Sequence, residues 1–386
     1  MKAIVFLLVM TGISLTLAQH CVTSNGIVGE CVDRQSCKPF NEAQTRSTFT
    51  ELSLAEKKEY LVSWRCRERS AKVCCPNDTP YSEPPPSVDD HKNLRLLPRV
   101  CGKTSIISDR LFGGNTTAPL DYPWMALIAT KSNISGVVKI DFTCGGTVIN
   151  DRYILTSANC IANLTNRELV GVRLGEWDIS TEIDCVDDFC TSPVQDIAIE
   201  EVLPYPGYVG IVYGKGLDLM NDIGLLRLAN PINLTVENVA PICLPTTKRM
   251  REANLTDEIL VMTGWGKTNN QEDNNHTTTK DFISPRLLQI DVPIVPNRLC
   301  AEKYNKSDIG GIGFRQLCAS GLKGISSCSG DAGGPMVLKM SSKKSDRFVQ
   351  FGVISAGYQV CGIEDKPGIL TNVLYYMDWI LDTIKP

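Results

Sequence analysis

The residues that bear on chemistry are concentrated in two short segments. Residues 326–335 read SSCSGDAGGP, and residues 155–160 read LTSANC. Ala332 lies in the middle of the first segment, and Asn159 lies near the end of the second. A methyl group cannot be activated as a nucleophile, and an asparagine cannot carry a proton between reacting groups near neutral pH. Neither segment therefore supplies the side chain that catalysis at its centre would need.

Both segments resemble motifs of the chymotrypsin-fold serine proteases. The first is similar to GDSGGP, with Ala332 in place of the attacking serine, and the second to TAAHC, with Asn159 in place of the histidine. Asp222, within NDIGLL at 221–226, matches the family's orienting aspartate. The resemblance implies a triad of which only the aspartate remains. We expect no peptidase activity, and we expect Asp222 to be a structural residue that accepts hydrogen bonds from an asparagine amide.

The same resemblance assigns the rest of a protease cleft. The backbone N–H groups of Gly330 and Ala332 match the oxyanion hole, which needs no side chain. Ser326 falls at the floor of the specificity pocket, with Gly357 and Gly368 in its walls. An uncharged floor gives an arginine or lysine side chain no partner for its desolvated charge. The pocket is therefore not expected to bind basic side chains, although active chymotrypsin-like members also have a neutral pocket.

No other residue is expected to replace the missing groups. The chain has three histidines, of which His20 lies beside the predicted mature N-terminus, His91 in a proline-rich segment and His276 in a polar insertion at 269–280. Ser329 is three residues from Ala332, and the tight loop that aims the nucleophile does not allow such a shift. A relocated catalytic centre is not expected.

An activation site is also implied. RLFGG at 110–114 resembles the family's arginine followed by IVGG, with Phe112 as the bulkier departure. Cleavage after Arg110 by an upstream trypsin-like protease would free the amino group of Leu111. In the family this ammonium inserts beside the aspartate that precedes the nucleophile, here Asp331. The alternative is that Arg110 is an ordinary linker arginine.

Composition indicates a secreted protein. Residues 1–18 have the basic start, apolar run and small-residue end of a signal peptide, and no later stretch is apolar enough for a membrane span. A formal charge of −4 over 386 residues gives no electrostatic case for nucleic acid. Sixteen cysteines fit an oxidising compartment. Eight glycosylation sequons agree with secretion, at Asn77, Asn115, Asn133, Asn163, Asn233, Asn254, Asn275 and Asn305.

Six cysteines between residues 21 and 75 predict a small disulfide-rich domain. A segment this short buries too little apolar surface to fold unaided, so three disulfides are expected. Spacing alone leaves fifteen connectivities open. The pattern, ending in VCCP at 73–76, resembles the arthropod clip domain, which implies the pairs Cys21–Cys74, Cys31–Cys66 and Cys37–Cys75.

The remaining ten cysteines pair by analogy with the protease family and its clip-domain members. Those analogies give Cys101–Cys243, Cys144–Cys160, Cys185–Cys190, Cys300–Cys318 and Cys328–Cys361. No cysteine remains for metal or redox work, and no cofactor is expected. Glu176 and Asp178 fall where some relatives bind calcium, but two acids in a polar loop are expected to form a solvated surface.

The chain divides into four parts by composition. We predict a signal peptide at 1–18, a clip domain at 19–76, a linker and activation segment at 77–110 and a protease-like domain at 111–386. Residues 76–100 carry six prolines and no hydrophobic periodicity, which predicts an extended, solvated linker.

Short alternating apolar runs between turn residues predict an all-β domain after residue 111. Such runs occur at 124–129, 142–149, 223–228, 259–263, 287–292 and 349–355. Beyond Asn372 the apolar residues recur at helical spacing, which predicts a capped C-terminal helix. The resemblance implies two six-stranded antiparallel barrels followed by that helix.

Together these features resemble a clip-domain serine protease homologue without catalysis. Relatives of that kind act as cofactors, adaptors or regulators in extracellular proteolytic cascades, in innate immunity, melanisation or Toll-type signalling. The implied partners are cascade proteases or prophenoloxidase-like zymogens. One alternative is a binding module that recognises microbial surfaces without a cascade protein. The other is a residual serine endopeptidase, which an active-site serine reagent would detect.

Overall fold

The computed structural model describes two compact units, which divide between Tyr81 and Ser82. The described residues are 20–22, 28–37, 40, 66, 72–76, 85–104, 117–134, 136–162, 164–208, 210, 212–213, 216–217, 219–255, 258–268, 282–304, 312–319, 331–341, 346–356 and 367–386.

The first unit is built on a three-stranded antiparallel sheet. Its strands are β1 His20–Val22, β2 Val28–Val32 and β3 Val73–Pro76, with a 3-10 helix at Arg34–Ser36. Strand β2 lies in the centre and pairs with both neighbours. Cys37, Phe40 and Val73 form a small buried core. Three disulfides hold the sheet, and they join the predicted pairs Cys21–Cys74, Cys31–Cys66 and Cys37–Cys75.

The first half of the second unit contains a closed six-stranded barrel with the strand order β10-β13-β6-β5-β4-β7. Short apolar runs ending at turn residues give these strands their bounds. The barrel strands are β4 Met125–Ile134, β5 Val137–Val148, β6 Tyr153–Thr156, β7 Arg167–Leu174, β10 Gln195–Pro204 and β13 Gly224–Leu228. Two separate two-stranded sheets are formed by β8 Cys185–Val186 with β9 Phe189–Cys190 and by β11 Val212–Tyr213 with β12 Gly216–Leu217.

The second half contains a second closed barrel with the order β14-β17-β18-β21-β20-β19. Every pair in both barrels is antiparallel. The all-β prediction of two six-stranded barrels is confirmed. The barrel strands are β14 Ile259–Gly264, β17 Leu288–Val295, β18 Gln316–Ala319, β19 Pro335–Met340, β20 Arg347–Ala356 and β21 Gly368–Asn372. A separate two-stranded sheet is formed by β15 Lys267–Thr268 and β16 Phe282–Ile283.

Helices are few and short in the described part of this unit. The α-helices are Ala158–Ile161, Lys248–Arg251, Asn297–Tyr304 and Met377–Thr383, and the 3-10 helices are Lys92–Leu96 and Val373–Tyr376. As predicted, the Asn372 side chain caps the C-terminal helical segment by accepting from the Leu374 N–H. No helix among the described residues is long and apolar enough to cross a membrane.

Apolar residues from both barrels meet in one large core cluster. Leu155 and Leu225 come from the first barrel, and Val261 and Val337 come from the second. Buried residues of the C-terminal helical segment, such as Tyr376, belong to the same cluster. Each barrel also has its own core. The shared cluster holds the barrels against each other, so loops from both can meet at one site.

The prediction that residues 76–100 form a solvated linker is wrong from residue 85 onward. Val88 is only 2% exposed and belongs to the large shared core cluster. Lys92–Leu96 forms a 3-10 helix. The Asn93 side-chain amide donates to the Leu381 carbonyl at 2.8 Å, which ties this segment to the C-terminal helix.

Polar contacts and a disulfide extend this docking to residue 104. The Arg251 guanidinium, largely buried, pairs with Asp89. Gly102 has φ +60°, and a Cβ there would lie 2.1 Å from the Phe348 carbonyl oxygen, so only glycine fits. The predicted Cys101–Cys243 disulfide is present. Residues 85–104 therefore form a strap on the second unit, which we call the docked strap.

Docking of the strap through Val88 is testable. We expect Val88→Ala to lower the free energy of unfolding by about 2 kcal/mol, because it leaves a cavity in the shared core. Val100→Ala is the matched control, because Val100 is 59% exposed. Urea unfolding followed by tryptophan fluorescence measures both. Equal stability of the two variants would contradict docking through Val88.

Four of the five disulfides predicted for this unit lie among the described residues, and all four are present. They are Cys101–Cys243, Cys144–Cys160, Cys185–Cys190 and Cys300–Cys318. The fifth predicted pair, Cys328–Cys361, lies outside the described residues.

Candidate functional site

Asn159 lies where the first barrel presents a short helix to solvent. Strand β6 ends at Thr156, and Ser157, with extended backbone, precedes the helix Ala158–Ile161. The Asn159 side chain is exposed. Its Oδ1 accepts a hydrogen bond from the Tyr208 hydroxyl at 3.4 Å. The sequence analysis did not single out Tyr208, because no recognisable motif surrounds it.

Asp222 is buried directly beneath Asn159, with 1% of its surface exposed. One carboxylate oxygen accepts from the Asn159 backbone N–H at 2.7 Å, and the other accepts from the Ser355 hydroxyl. The Thr371 hydroxyl donates to the Asp222 carbonyl at 2.7 Å. The expected hydrogen bond from the asparagine side-chain amide is not made: the Asn159 backbone N–H donates to Asp222, and the Asn159 side chain contacts Tyr208 instead.

Asn221 sets the direction of Asp222. Its φ of +60° lies in the left-handed region, which asparagine tolerates better than most residues. Its side chain donates to the Gly207 carbonyl at 2.9 Å and accepts from the Tyr376 hydroxyl at 2.8 Å. These bonds fix the turn that points the next side chain inward.

Burial makes Asp222 a weaker acid. Desolvation raises its pKa from 3.8 to about 6, although the hydrogen bonds from Ser355 and the Asn159 backbone oppose the shift. A carboxyl group with a raised native pKa binds its proton more tightly in the folded state. Its contribution to stability is therefore greatest at low pH and is lost as pH rises through about 6.

This linkage predicts the pH dependence of stability. Between pH 5 and pH 7.5 the wild type should lose about 1.4 kcal/mol of unfolding free energy through Asp222. Asp222→Asn should remove that loss, because the amide stays neutral while still accepting from Asn159 and donating to Ser355. Urea titrations at the two pH values measure it. Glu176, whose pKa is raised to about 7, also loses stability over this pH range, so Asp222→Asn is compared with its parent in a Glu176→Gln background; equally steep profiles of the two would contradict the prediction.

Ala332 comes from the second barrel and faces the same region. Its carbonyl accepts from the Gly145 N–H at 2.8 Å, beside the Cys144–Cys160 disulfide that adjoins Asn159. Gly333 has φ +81°, and a Cβ on it would lie 2.2 Å from the Thr156 hydroxyl oxygen. The backbone that would aim a nucleophile is thus closely packed, and the side chain at its apex is a methyl group.

Asp331 is held against the backbone that precedes β15. Its Oδ1 accepts from the Gly266 N–H at 2.8 Å. A Cβ on Gly264 or Gly266 would lie 2.1 or 2.2 Å from the carboxylate oxygens, so the two glycines leave room for the Asp331 side chain in this position. The expected partner, the ammonium of Leu111, lies outside the described residues, as does Arg110.

Part of the predicted cleft also lies outside the described residues, namely Gly330 of the oxyanion hole and Ser326 and Gly357 of the specificity pocket. Gly368, the other predicted wall residue, is the first residue of β21 and pairs with Ala319. The structure therefore brings together Asn159, Asp222 and Ala332, with Ser355 and Thr371 around them. The predicted roles of Gly330, Ser326, Gly357 and Gly368 stay predictions.

The expectation that Glu176 and Asp178 form a solvated surface is wrong. Both side chains are buried, and so is Asp184. Asp178 pairs with Arg286 at 2.8 Å, and Glu176 approaches Arg173 at 3.4 Å. Burial is the main reason that the pKa of Glu176 is raised to about 7, and repulsion from Asp184 adds to the shift. Asp184 also accepts from the backbone N–H groups of residues 177 and 178, so the acids organise their own loop.

Three of the eight sequon asparagines are described, namely Asn133, Asn233 and Asn254, and all three are exposed. Exposure is what glycosylation requires. The other five, Asn77, Asn115, Asn163, Asn275 and Asn305, lie outside the described residues.

The chain is similar to known proteins over almost its whole length. Residues 111–380 match the family model for trypsin, and residues 21–75 match that for the regulatory CLIP domain of proteinases. The chain is 31% identical to Melanization protease 1 of Drosophila melanogaster, over 98% of this chain and 97% of the relative. It is also 31% identical to Phenoloxidase-activating factor 3 of Holotrichia diomphalia, over 97% of this chain and 96% of the relative.

A solved structure shows the same architecture. The crystal structure of the Drosophila Grass clip serine protease of the Toll pathway matches with a TM-score of 0.63 and 31% identity, covering 95% of this chain and 97% of that chain. The two barrels, the disulfide-braced N-terminal sheet and these matches agree. The chain therefore belongs to the trypsin family, among the clip-domain serine proteases and their homologues.

Proposed function

We propose that this protein is a secreted clip-domain homologue that regulates an extracellular proteolytic cascade without cleaving peptides itself. The observation that carries the proposal is the arrangement of Asn159 and Ala332 around an intact Asp222. Asp222 keeps its hydrogen bonds to the Asn159 backbone and to Ser355. The base and the nucleophile are the two parts that are missing, while the support around them remains.

Neither missing part has a substitute within the described site. The exposed Asn159 side chain meets a tyrosine hydroxyl, and neither group accepts a proton readily near neutral pH. The Ser355 hydroxyl is buried against Asp222 and is not presented to a substrate. A cleft of this kind retains a scaffold that binds protein partners but lacks the means of acyl transfer.

Relatives indicate the setting. The names of similar proteins refer to melanisation, phenoloxidase activation and the Toll pathway. By that analogy the partners are cascade proteases or prophenoloxidase-like zymogens, and the role is that of a cofactor or regulator. Secretion is supported by the disulfides in both units.

The proposal is tested by reconstitution. Purified chain, cut after Arg110, is titrated into a mixture of an active clip-domain protease and its zymogen substrate. We expect the rate of zymogen cleavage to change and then saturate with the concentration of added chain, while the chain alone cleaves nothing. A rate that stays constant at every concentration, with each available cascade pair, would refute the regulatory role.

A further inference from the structure

The hairpin of β4 and β5 carries an exposed apolar surface close to its turn. Val137, Val138 and Ile140 are 67%, 54% and 61% exposed. They are three of the ten large apolar side chains that are exposed in the described part of the chain, and they fall within four residues. Isolated exposed apolar side chains are ordinary, but a cluster marks a surface that something covers.

The register of the hairpin places a sequon asparagine on the face of Val138 and Ile140, whereas Val137, which pairs with Ile134, projects to the opposite face. Asn133 pairs directly with Val138, and Lys131 pairs with Ile140. Residues that pair across antiparallel strands project to the same face, with directly opposed Cβ atoms about 5 Å apart and diagonal ones about 7–8 Å apart. Val138 is thus the direct neighbour of the Asn133 side chain, and Ile140 is its diagonal neighbour.

The Asn133 side chain is set for modification on its nitrogen. Its Oδ1 accepts from the Gly136 N–H at 3.1 Å, which fixes the amide at the turn. The residue is exposed, and residues 133–135 read NIS. A glycan is attached to the amide nitrogen and leaves the carbonyl oxygen in place, so the bond to Gly136 is compatible with glycosylation.

The opposite face of the hairpin carries the exposed Val137 together with charged side chains. Lys139 and Asp141 lie there and form an ion pair at 2.7 Å. On the face of Asn133, the ring of Phe142 is covered by the Arg173 guanidinium at 5.2 Å. Val138 and Ile140 have no such cover from the described residues, and they are the apolar side chains within reach of a group attached at Asn133.

We propose that Asn133 is glycosylated in the secreted protein and that the first sugars of its glycan cover Val138 and Ile140. A pyranose ring has an apolar C–H face, and an N-acetyl methyl group adds to it. Covering exposed apolar surface with such groups is favourable, and the outer sugars are solvated. Strand β5 pairs with β6 only at Thr147 and Val148, and an unpaired strand edge can pair with a strand of another chain. The glycan would hinder such pairing sterically.

This inference rests on the secretion that the proposed function includes, but not on the loss of catalysis. The glycan inference and the proposed function can each be refuted without the other. Absence of the protein from the medium would count against the proposed function, whereas secreted protein with an unmodified Asn133 would overturn only the present inference.

The experiment uses the full chain secreted from insect cells. Ser135→Ala removes the sequon but keeps Asn133 and its bond to Gly136. Thr235→Ala is the matched control, because it removes the sequon at Asn233, where neither Ile232 nor Leu234 is exposed. We expect glycopeptide mass spectrometry to find the wild type modified at Asn133. We expect Ser135→Ala to bind more anilinonaphthalene sulfonate and to shift from monomer to larger species in light scattering, and Thr235→Ala to do neither.

A second comparison keeps the test decisive if Ser135→Ala is not secreted. N-glycans are removed enzymatically from the folded wild type and from a Val138→Thr, Ile140→Thr variant, which keeps β-branched side chains in the strand. The stripped wild type should self-associate, and the stripped variant should stay monomeric. An unmodified Asn133, or a stripped wild type as monomeric as the variant, would overturn the proposal.

Discussion

The double variant Asn159→His, Ala332→Ser, cut after Arg110, should hydrolyse small ester substrates, while each single variant stays near the parent. Nucleophile and base act as a unit, so restoring one alone gains little. We expect a gain of at least about 10³-fold over the parent, a small part of the roughly 10⁶-fold that a complete triad supplies. Rates at pH 8 measure it, because Asp222, with a pKa of about 6, is then ionised.

The support for a restored base is already in place. Asp222 lies within 2.7 Å of the residue 159 backbone, and its second oxygen is held by the Ser355 hydroxyl. Adding Asp222→Asn to the double variant should return the rate to that of the single variants, since the aspartate stabilises the imidazolium. A double variant no faster than the parent would show that more than these two side chains blocks catalysis.

Cutting after Arg110 should convert the chain into its binding form. A trypsin-like protease is expected to release the amino group of Leu111, whose ammonium then pairs with Asp331. Asp331 is half-buried, so its carboxylate gains from a charged partner more than a fully solvated one would. Arg110→Gln should abolish both cutting and the effect on the cascade. Electrophoresis should separate two chains only after reduction, because Cys101–Cys243 joins them.

The Asp331→Asn variant tests the ion pair with the Leu111 ammonium without preventing cleavage after Arg110. The asparagine Oδ1 can still accept from the Gly266 N–H, as the aspartate does at 2.8 Å, so the variant loses only the charge. It should be cut at the normal rate but bind partners more weakly, which titration of the cut variant into the cascade mixture measures. If uncut protein regulates the cascade as well as cut protein, cleavage is not a switch.

The disulfides and barrels were predictable because their determinants are local and specific. Short motifs around Cys160 and Cys243 fix partners through the family resemblance, and the seven predicted pairs among the described residues are all present. The C-terminal helix was predictable from its cap at Asn372 and its apolar spacing.

The docked strap was not predictable from periodicity. Val88 is one apolar residue among prolines and acids, and its burial depends on a groove made by residues far along the chain. Arg251, which binds Asp89, is separated from it in sequence by the whole first barrel. Such contacts leave no repeating pattern, because the strap is neither helix nor strand over most of its length.

The burial of Glu176 and Asp178 was missed for a related reason. Acids in a polar loop are usually solvated, and their composition alone gives no reason to expect otherwise. Here Arg173 and Arg286 reach back to them, and Asp184 binds two backbone amides. The exposed position of the Asn159 side chain was not predictable either. It depends on the contact with Tyr208 and on Asp222 accepting from the Asn159 backbone N–H, not from its side chain.

The most direct test of the central claim is titration of the cut wild-type chain with a fluorophosphonate. The reagent forms a bond to an activated serine, and the double variant Asn159→His, Ala332→Ser serves as the positive control. We predict no labelling of the wild type and labelling of the control at position 332, as located by peptide mass spectrometry. Stoichiometric labelling of any serine in the wild type would contradict the account.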